Sequence, residues 1–378
     1  MFTLLKNAHV YAPHSLGKKD LLLCADKIVA IEDSITALPF PTDTIDCQGK
    51  ILTPGLIDQH IHLIGGGGEA GFNSRTPQVT LSNLIKGGLT TVVGVMGTDG
   101  ISRTPKDLYA KAKALELEGI RTFMHTGSYE LPTRTITSNI RDDITFIPSV
   151  LGVKIAMSDH RCSFPTLQEL LRITSDIRIA GMLSGKKGIL HIHMGDLPSG
   201  FELINEIVKA GIPRHHLSPT HVSRNPRLYQ EAIEFAKAGG NIDITTGGSD
   251  PKKLAELIKS TLAEGVNFDR ITLSSDGNGS MPRFNDKGEL EGLTAAPVNA
   301  NLDAFPYLVD AGIPMEQALS MLTVNVAKSV GISGGQLDVG ATGDLCLFND
   351  DLSLSRVYAK GKLMLDQDSS FVAIGNFE

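Results

Sequence analysis

The chain has 378 residues, enough for one large domain with a smaller companion and for a sizeable buried core. Hydrophobic residues make up 41% and charged residues 20%, the ordinary balance of a globular protein in water. A net charge of -7 without blocks of like charge gives no reason to expect nucleic acid, and no run of eighteen apolar residues suggests a membrane span.

The start, Met1 to Asn7, lacks a basic segment followed by a long apolar run, so no secretory signal is read there. Residues 1 to about 52 give short alternating runs (Phe2–Leu5, Asp20–Leu23, Lys27–Ile31) broken by Asn, Pro and Gly, the pattern of a small β module. Between the chain ends the rhythm changes. Strand-like apolar pieces recur about every thirty residues: Leu56–His62, Thr90–Val95, Arg121–Thr126, Leu151–Ala156, Gly188–His193, His216–His221, Asn241–Thr245 and Arg270–Ser275. Segments such as Lys106–Glu118, Leu167–Leu183 and Pro251–Leu262 lie between them with apolar residues at helical spacing. The last stretch returns to β character at Asp344–Phe348 and Arg356–Met364. The reading is an α/β protein: a (β/α)8 TIM-type barrel over residues 53–335, and a small β-sandwich built from 1–52 and 336–378. The cysteines Cys24, Cys47, Cys162 and Cys346 have no CxxC spacing and read as reduced thiols, so a cytoplasmic protein is expected.

In such a barrel the chemistry lies where the strands stop. The first piece ends in His60 and His62, which share a strand face because side chains alternate. The fourth carries Lys154, the fifth His191 and His193, the sixth His221, and the eighth leads to Asp276. Neutral imidazole and carboxylate suit zinc and similar divalent ions. His193 lies nearer the mouth and is the better ligand; His191 sits a layer deeper as a structural residue. His160 is a candidate for supporting a ligand, and His9, His14, His125, His215 and His216 read as surface or packing residues. An ammonium has no lone pair for a metal. Lys154 is therefore either a cation near an anionic substrate or a carbamylated, anionic bridge, and composition does not decide between them.

Pro54-Gly55-Leu56-Ile57-Asp58 leading into His60 and His62, with the lysine, histidines and aspartate above, resembles the amidohydrolase superfamily of metal-dependent hydrolases. Within it the resemblance is greatest to the isoaspartyl (β-aspartyl) dipeptidase family. It is carried by Gly65–Gly71, Gly97–Asp99, Tyr129 with Arg134–Thr137, Ser158–Arg161, His193–Asp196, Pro219–Val222 with Arg224-Asn225, and Ser274–Ser280. The resemblance implies two zinc ions. His60, His62 and Asp276 hold the more buried one, His193 and His221 hold the second, and carbamylated Lys154 and a hydroxide bridge them. Asp276 then moves the proton, and Tyr129 donates to the carbonyl oxygen.

The implied substrate, a small-molecule β-aspartyl dipeptide, has one ammonium and two carboxylates. Glu69 supplies an anion for the ammonium, and Arg161 and Arg224 supply forks for the carboxylates. Thr98 and Ser280 offer neutral hydrogen bonds, and the Gly67 backbone can approach closely. Arg103, Arg134 and Arg227 read as solvated loop charges. The stretches Gly71–Arg75 and Ser128–Thr133 vary around the matched residues and leave the leaving residue open. A homo-oligomer is expected. Competing readings are a dihydroorotase, a hydantoinase, an N-acyl-amino-acid deacylase, or a barrel that has lost hydrolysis; against the last, all six candidate ligands are present.

Overall fold

A computed structural model describes residues 2–36, 38–284 and 290–378. Its eight barrel strands are Leu56–Ile61, Leu89–Gly94, Arg121–Thr126, Val150–Met157, Ile189–Met194, Leu217–Thr220, Ile242–Thr245 and Ile271–Ser274. The first six form one parallel sheet in chain order, and the seventh and eighth pair with each other. The eighth returns to the first through a parallel bridge between Ile61 and Gly277, where His62 N donates to Gly277 O at 2.9 Å. Nearly every residue of these strands is buried. Helices cover one face and packed side chains fill the other, so the strands read as apolar runs rather than alternations.

The covering helices start where the sequence says they should. Thr104, Asn225 and Asp250 cap the helices Pro105–Glu118, Pro226–Lys237 and Pro251–Ala263, and each cap is followed by the proline. A proline in the first turn has no N–H to satisfy, and its ring presets φ. Thr166 and Glu169 close a capping box on Leu167–Ser184, which buries Leu170, Ile173, Thr174, Ile177, Ala180 and Gly181 along one stripe. Each cap contributes about 1 kcal/mol.

The two ends of the chain meet in a nine-stranded sheet. Ile51–Pro54 lies at its centre, parallel to Phe2–Tyr11 and antiparallel to Leu345–Phe348. The sheet curls until Ile28 N reaches Ala341 O at 2.9 Å, enclosing Leu5, Leu21, Leu23, Ile28, Leu52, Leu345 and Leu347. This is the sandwich expected from the two β-like ends. The β character read over Arg356–Met364 is a hairpin, Leu354–Ala359 and Lys362–Asp366. Lys360 (φ 49°) and Gly361 (φ 72°) make the two-residue turn, both in the left-handed region that such turns need. A second hairpin, Ser280–Phe284 with Leu290–Ala295, follows the eighth barrel strand and was not foreseen.

Candidate metal centre and active site

All six candidate ligands converge at the carboxyl ends of the strands. His60 and His62 come from the end of the first strand, and both Nε2 atoms face Asp276 Oδ1, at 3.3 and 3.1 Å. His221 follows the sixth strand, and its ring lies 4.9 Å from that of His60 and 4.6 Å from that of His193. One ligand atom each of His60, His221 and Asp276 falls within 4.8 Å of the others. Lys154 pairs in register with His191, one layer below His193, and its long side chain rises to place Nζ 3.2 Å from His60 Nε2. The backbone turns through the left-handed region at Ser158 (φ 54°), His221 (φ 60°) and Asp276 (φ 52°), where strands four, six and eight end. Non-glycine residues adopt that region rarely, and such strain gathers at working sites.

Electrostatics prepares these groups as donors. Burial, with Lys154 beside it, holds the His60 imidazole well below its ordinary pKa. Burial likewise lowers His221, and it lowers His193 to about 3. Burial by itself would raise the Asp276 carboxyl, but His221, His60 and His62 outweigh it and keep the group ionised. Burial brings the Lys154 amine down to about 7, so a neutral nitrogen is within reach near physiological pH. Neutral imidazoles of His60 and His221 and an ionised Asp276 carboxylate, their ligand atoms within 4.8 Å of one another, fit a divalent ion.

Beneath this layer lies a support in which His191 and His125 are accompanied by two carboxylates, Asp58 and Asp243, that were given no role on sequence grounds. His60 Nδ1 lies 2.8 Å from His191 Nε2, and His191 Nδ1 lies 3.1 Å from Ser218 Oγ. This is the deeper, structural position expected for His191. His125 stacks face to face on it at 5.1 Å and is a packing residue. Asp58 accepts from His60 N at 2.9 Å and from Ser275 N at 3.0 Å, tying the first ligand strand to the eighth. Asp243 joins Gln59, Thr220, Thr272 and Ser274 across the barrel floor, and burial raises its carboxyl to about 6. Alternating buried polar residues inside apolar strands were the signal for both carboxylates.

Above the ligands a cleft of about 540 Å³ opens, lined by His62, His193, His221, Asp276 and Tyr129 together with Gly67, Glu69, Thr98, Arg161, Arg224 and Ser280. Every substrate-contacting candidate therefore faces one space. Tyr129 OH is 2.7 Å from His193 Nδ1, and burial raises its pKa so that it stays a donor. Glu69 Oε1 pairs with Arg161 Nη1 at 3.0 Å, and Arg224 lies 3.9 Å from Asp196. The Thr98 hydroxyl is buried without a partner among the described residues. At Gly67 (φ 80°) an added Cβ would stand 2.4 Å from Ser74 O and 3.0 Å from Ser280 Cβ, so only glycine lets these segments close.

Two expectations fail. His160 is exposed and lies 3.6 Å from Asp159; it is Asp159 that touches the candidate ligand His193, at 2.9 Å. Arg103 is not a solvated charge. It is buried and donates to Gly66 O at 2.8 Å and Thr76 O at 2.7 Å, holding the glycine loop that carries Glu69. Arg134 and Arg227 do lie at the surface, paired with Glu130 and Glu231.

A family model for the amidohydrolase family matches residues 51–364, and the chain belongs to that family, a class of barrel hydrolases. More particularly, it is similar to a β-aspartyl dipeptidase of the thermophilic keratin degrader Fervidobacterium islandicum AW-1 solved with β-Asp-Leu. The two are 41% identical with a TM-score of 0.94, over 100% of this chain and 99% of that one. A second structure of the dipeptidase from that organism gives 39% identity and a TM-score of 0.91, over 100% of both chains. A dihydroorotase of Pediococcus pentosaceus is 32% identical over 183 residues, 48% of this chain and 40% of its own length. Among the described residues no helix is long and apolar enough to cross a membrane.

Proposed function

We propose that this chain is a metal-dependent hydrolase that cleaves the isopeptide bond of β-aspartyl dipeptides, releasing aspartate and the second amino acid. The observation that carries the reading is Glu69 paired with Arg161 at 3.0 Å, in the same cleft as Arg224 and the His–Asp cluster. One carboxylate for an ammonium and two guanidiniums for two carboxylates match the charges of that substrate. The likeness to the Fervidobacterium enzyme with its β-Asp-Leu supports the same choice. The match to the Pediococcus dihydroorotase favours a cyclic imide instead, but such a substrate has no ammonium to occupy Glu69.

In its finer form the proposal has two zinc ions. His60, His62 and Asp276 would hold one, His193 and His221 the other, with carbamylated Lys154 between them. Bound there, the ions supply Lewis acidity toward the carbonyl and bring the pKa of a water near neutrality. Asp276 accepts the proton of the attacking water and passes it to the leaving nitrogen. The C–N bond breaks as the new C–O bond forms, giving a carboxylate and a free amine. Tyr129 donates to the carbonyl oxygen as its charge grows. Glu69 and Arg161 grip the aspartyl end, Arg224 takes the remaining carboxylate, and Thr98, Ser280 and the Gly67 backbone add neutral contacts. Such an enzyme would clear isoaspartyl peptides left by protein breakdown. A cytoplasmic location, supported by four free cysteines, and a homo-oligomeric state belong to this reading. Zinc-supplied protein should hydrolyse β-Asp-Leu and leave α-Asp-Leu intact; equal rates on both, or none on the first, would overturn it.

A further inference from the structure

We propose that Asp159 is a positioning residue that couples the metal ligand His193 to the substrate clamp Arg161. The inference rests on the reading of the site given above and deepens it.

Asp159 stands two residues past the fourth barrel strand, just after Ser158 turns the backbone through φ 54°. It is 2% exposed, although it sits in the sequence between two polar residues of a loop. One oxygen, Oδ1, accepts from Arg161 N at 2.8 Å and from Arg161 Nε at 2.9 Å. The other, Oδ2, accepts from Arg161 Nη2 at 2.8 Å and faces His193 Nε2 at 2.9 Å. Arg161 Nη2 also lies 3.4 Å from His193 Nε2, a longer contact than the 2.9 Å that separates Nε2 from the carboxylate. An ionised carboxylate only accepts, so the His193 proton resides on Nε2 and Nδ1 keeps its lone pair, which faces Tyr129 OH at 2.7 Å on the cleft side. Ligating histidines are commonly oriented this way, through the ring nitrogen that does not meet the metal.

The same carboxylate thus fixes a ligand's tautomer and grips the guanidinium fork from two sides. Arg161 is left with Nη1 for Glu69, completing a line from His193 through Asp159 and Arg161 to Glu69. Asp159 itself has no room to move. A Cβ on Gly195, two residues past His193, would stand 2.4 Å from Asp159 Cα and 2.5 Å from its Cβ, so the turn after strand five closes directly on it. Leu197 N also donates to Ser158 O at 2.8 Å across the same seam. His193 and Arg161 are therefore held by one rigid group. A shift of either is transmitted to the other.

Asp159→Asn and Asp159→Ala separate this role from simple support. The Asn amide oxygen still accepts from Arg161, but its NH₂ faces the His193 N–H, donor against donor. Zinc per chain is measured by mass spectrometry after dialysis against a zinc buffer, beside KM and kcat for β-Asp-Leu and a thermal melt. In both variants one of the two ions should loosen by about 10- to 100-fold while the other is retained. KM should rise by about tenfold in the Ala variant and by less in the Asn variant, which keeps half of the clamp. Wild-type zinc affinity and KM in the folded Asn variant would overturn the proposal, as would a fall in melting temperature alone in either variant. A wild-type chain that takes up no metal would instead overturn the underlying reading of the site.

Discussion

Replacing Glu69 by Gln removes a single charge from the cleft and keeps the shape of the side chain. Glu69 lies 3.0 Å from Arg161, and its side chain is 34% exposed. At that distance two unit charges attract by roughly 5.5 kcal/mol at an effective dielectric constant near 20. Most of this is offset by lost hydration and by screening at a partly open rim. A charge-assisted contact of this kind contributes about 1.5–2 kcal/mol net, or roughly 10- to 30-fold in kcat/KM. The control is N-succinyl-leucine, which is β-Asp-Leu without its amino group and cannot use Glu69. The wild type should prefer β-Asp-Leu by that factor, and Glu69→Gln should collapse the preference by slowing β-Asp-Leu alone. Coupled amino-acid release measures both rates. A ratio that survives the substitution would show that Glu69 does not receive the ammonium.

Two further outcomes are expected. Asp276→Asn should lower kcat by about 10²- to 10⁴-fold with little change in melting temperature, since the proton carrier is lost and the barrel is not; turnover within tenfold of wild type would remove Asp276 from that role. Lys154→Met tests the buried amine in chelator-treated protein. The folded-state pKa of about 7 lies below the usual 10.5, so the unfolded chain holds an extra proton between those values. Stability should therefore rise with pH across that window, by at most about 1.4 kcal/mol per unit, and the Met variant should lose that part of the slope in urea titrations. Identical slopes in the two proteins would mean that Lys154 stays protonated in the folded chain as it does in the unfolded one.

The barrel was legible because parallel strands covered on both faces must be apolar throughout, and Gly, Pro and capping residues punctuate them. His60 and His62 were legible as a pair by strand parity, with the apolar run before them and the glycine loop behind them, and the remaining candidate ligands by their place at other strand ends. What escaped depends on groups distant in sequence. Arg103 looks like any loop charge until Gly66 O, 37 residues away, becomes its partner. Asp159 was given no role of its own because its partner His193 is 34 residues on, and the more familiar ligand type, His160, stands beside it. The turn at Lys360-Gly361 was missed for another reason: lysine seldom takes a positive φ, so only the glycine hinted at a break in an otherwise continuous β pattern.

The central claim, that a His–Asp–Lys cluster works through bound metal on a β-aspartyl bond, is tested most directly by titrating zinc into chelator-stripped protein while following hydrolysis of β-Asp-Leu. Activity should be absent at the start, rise with added zinc and level off at about two ions per chain. Full activity in the stripped protein, or a plateau reached without any zinc bound, would contradict the account.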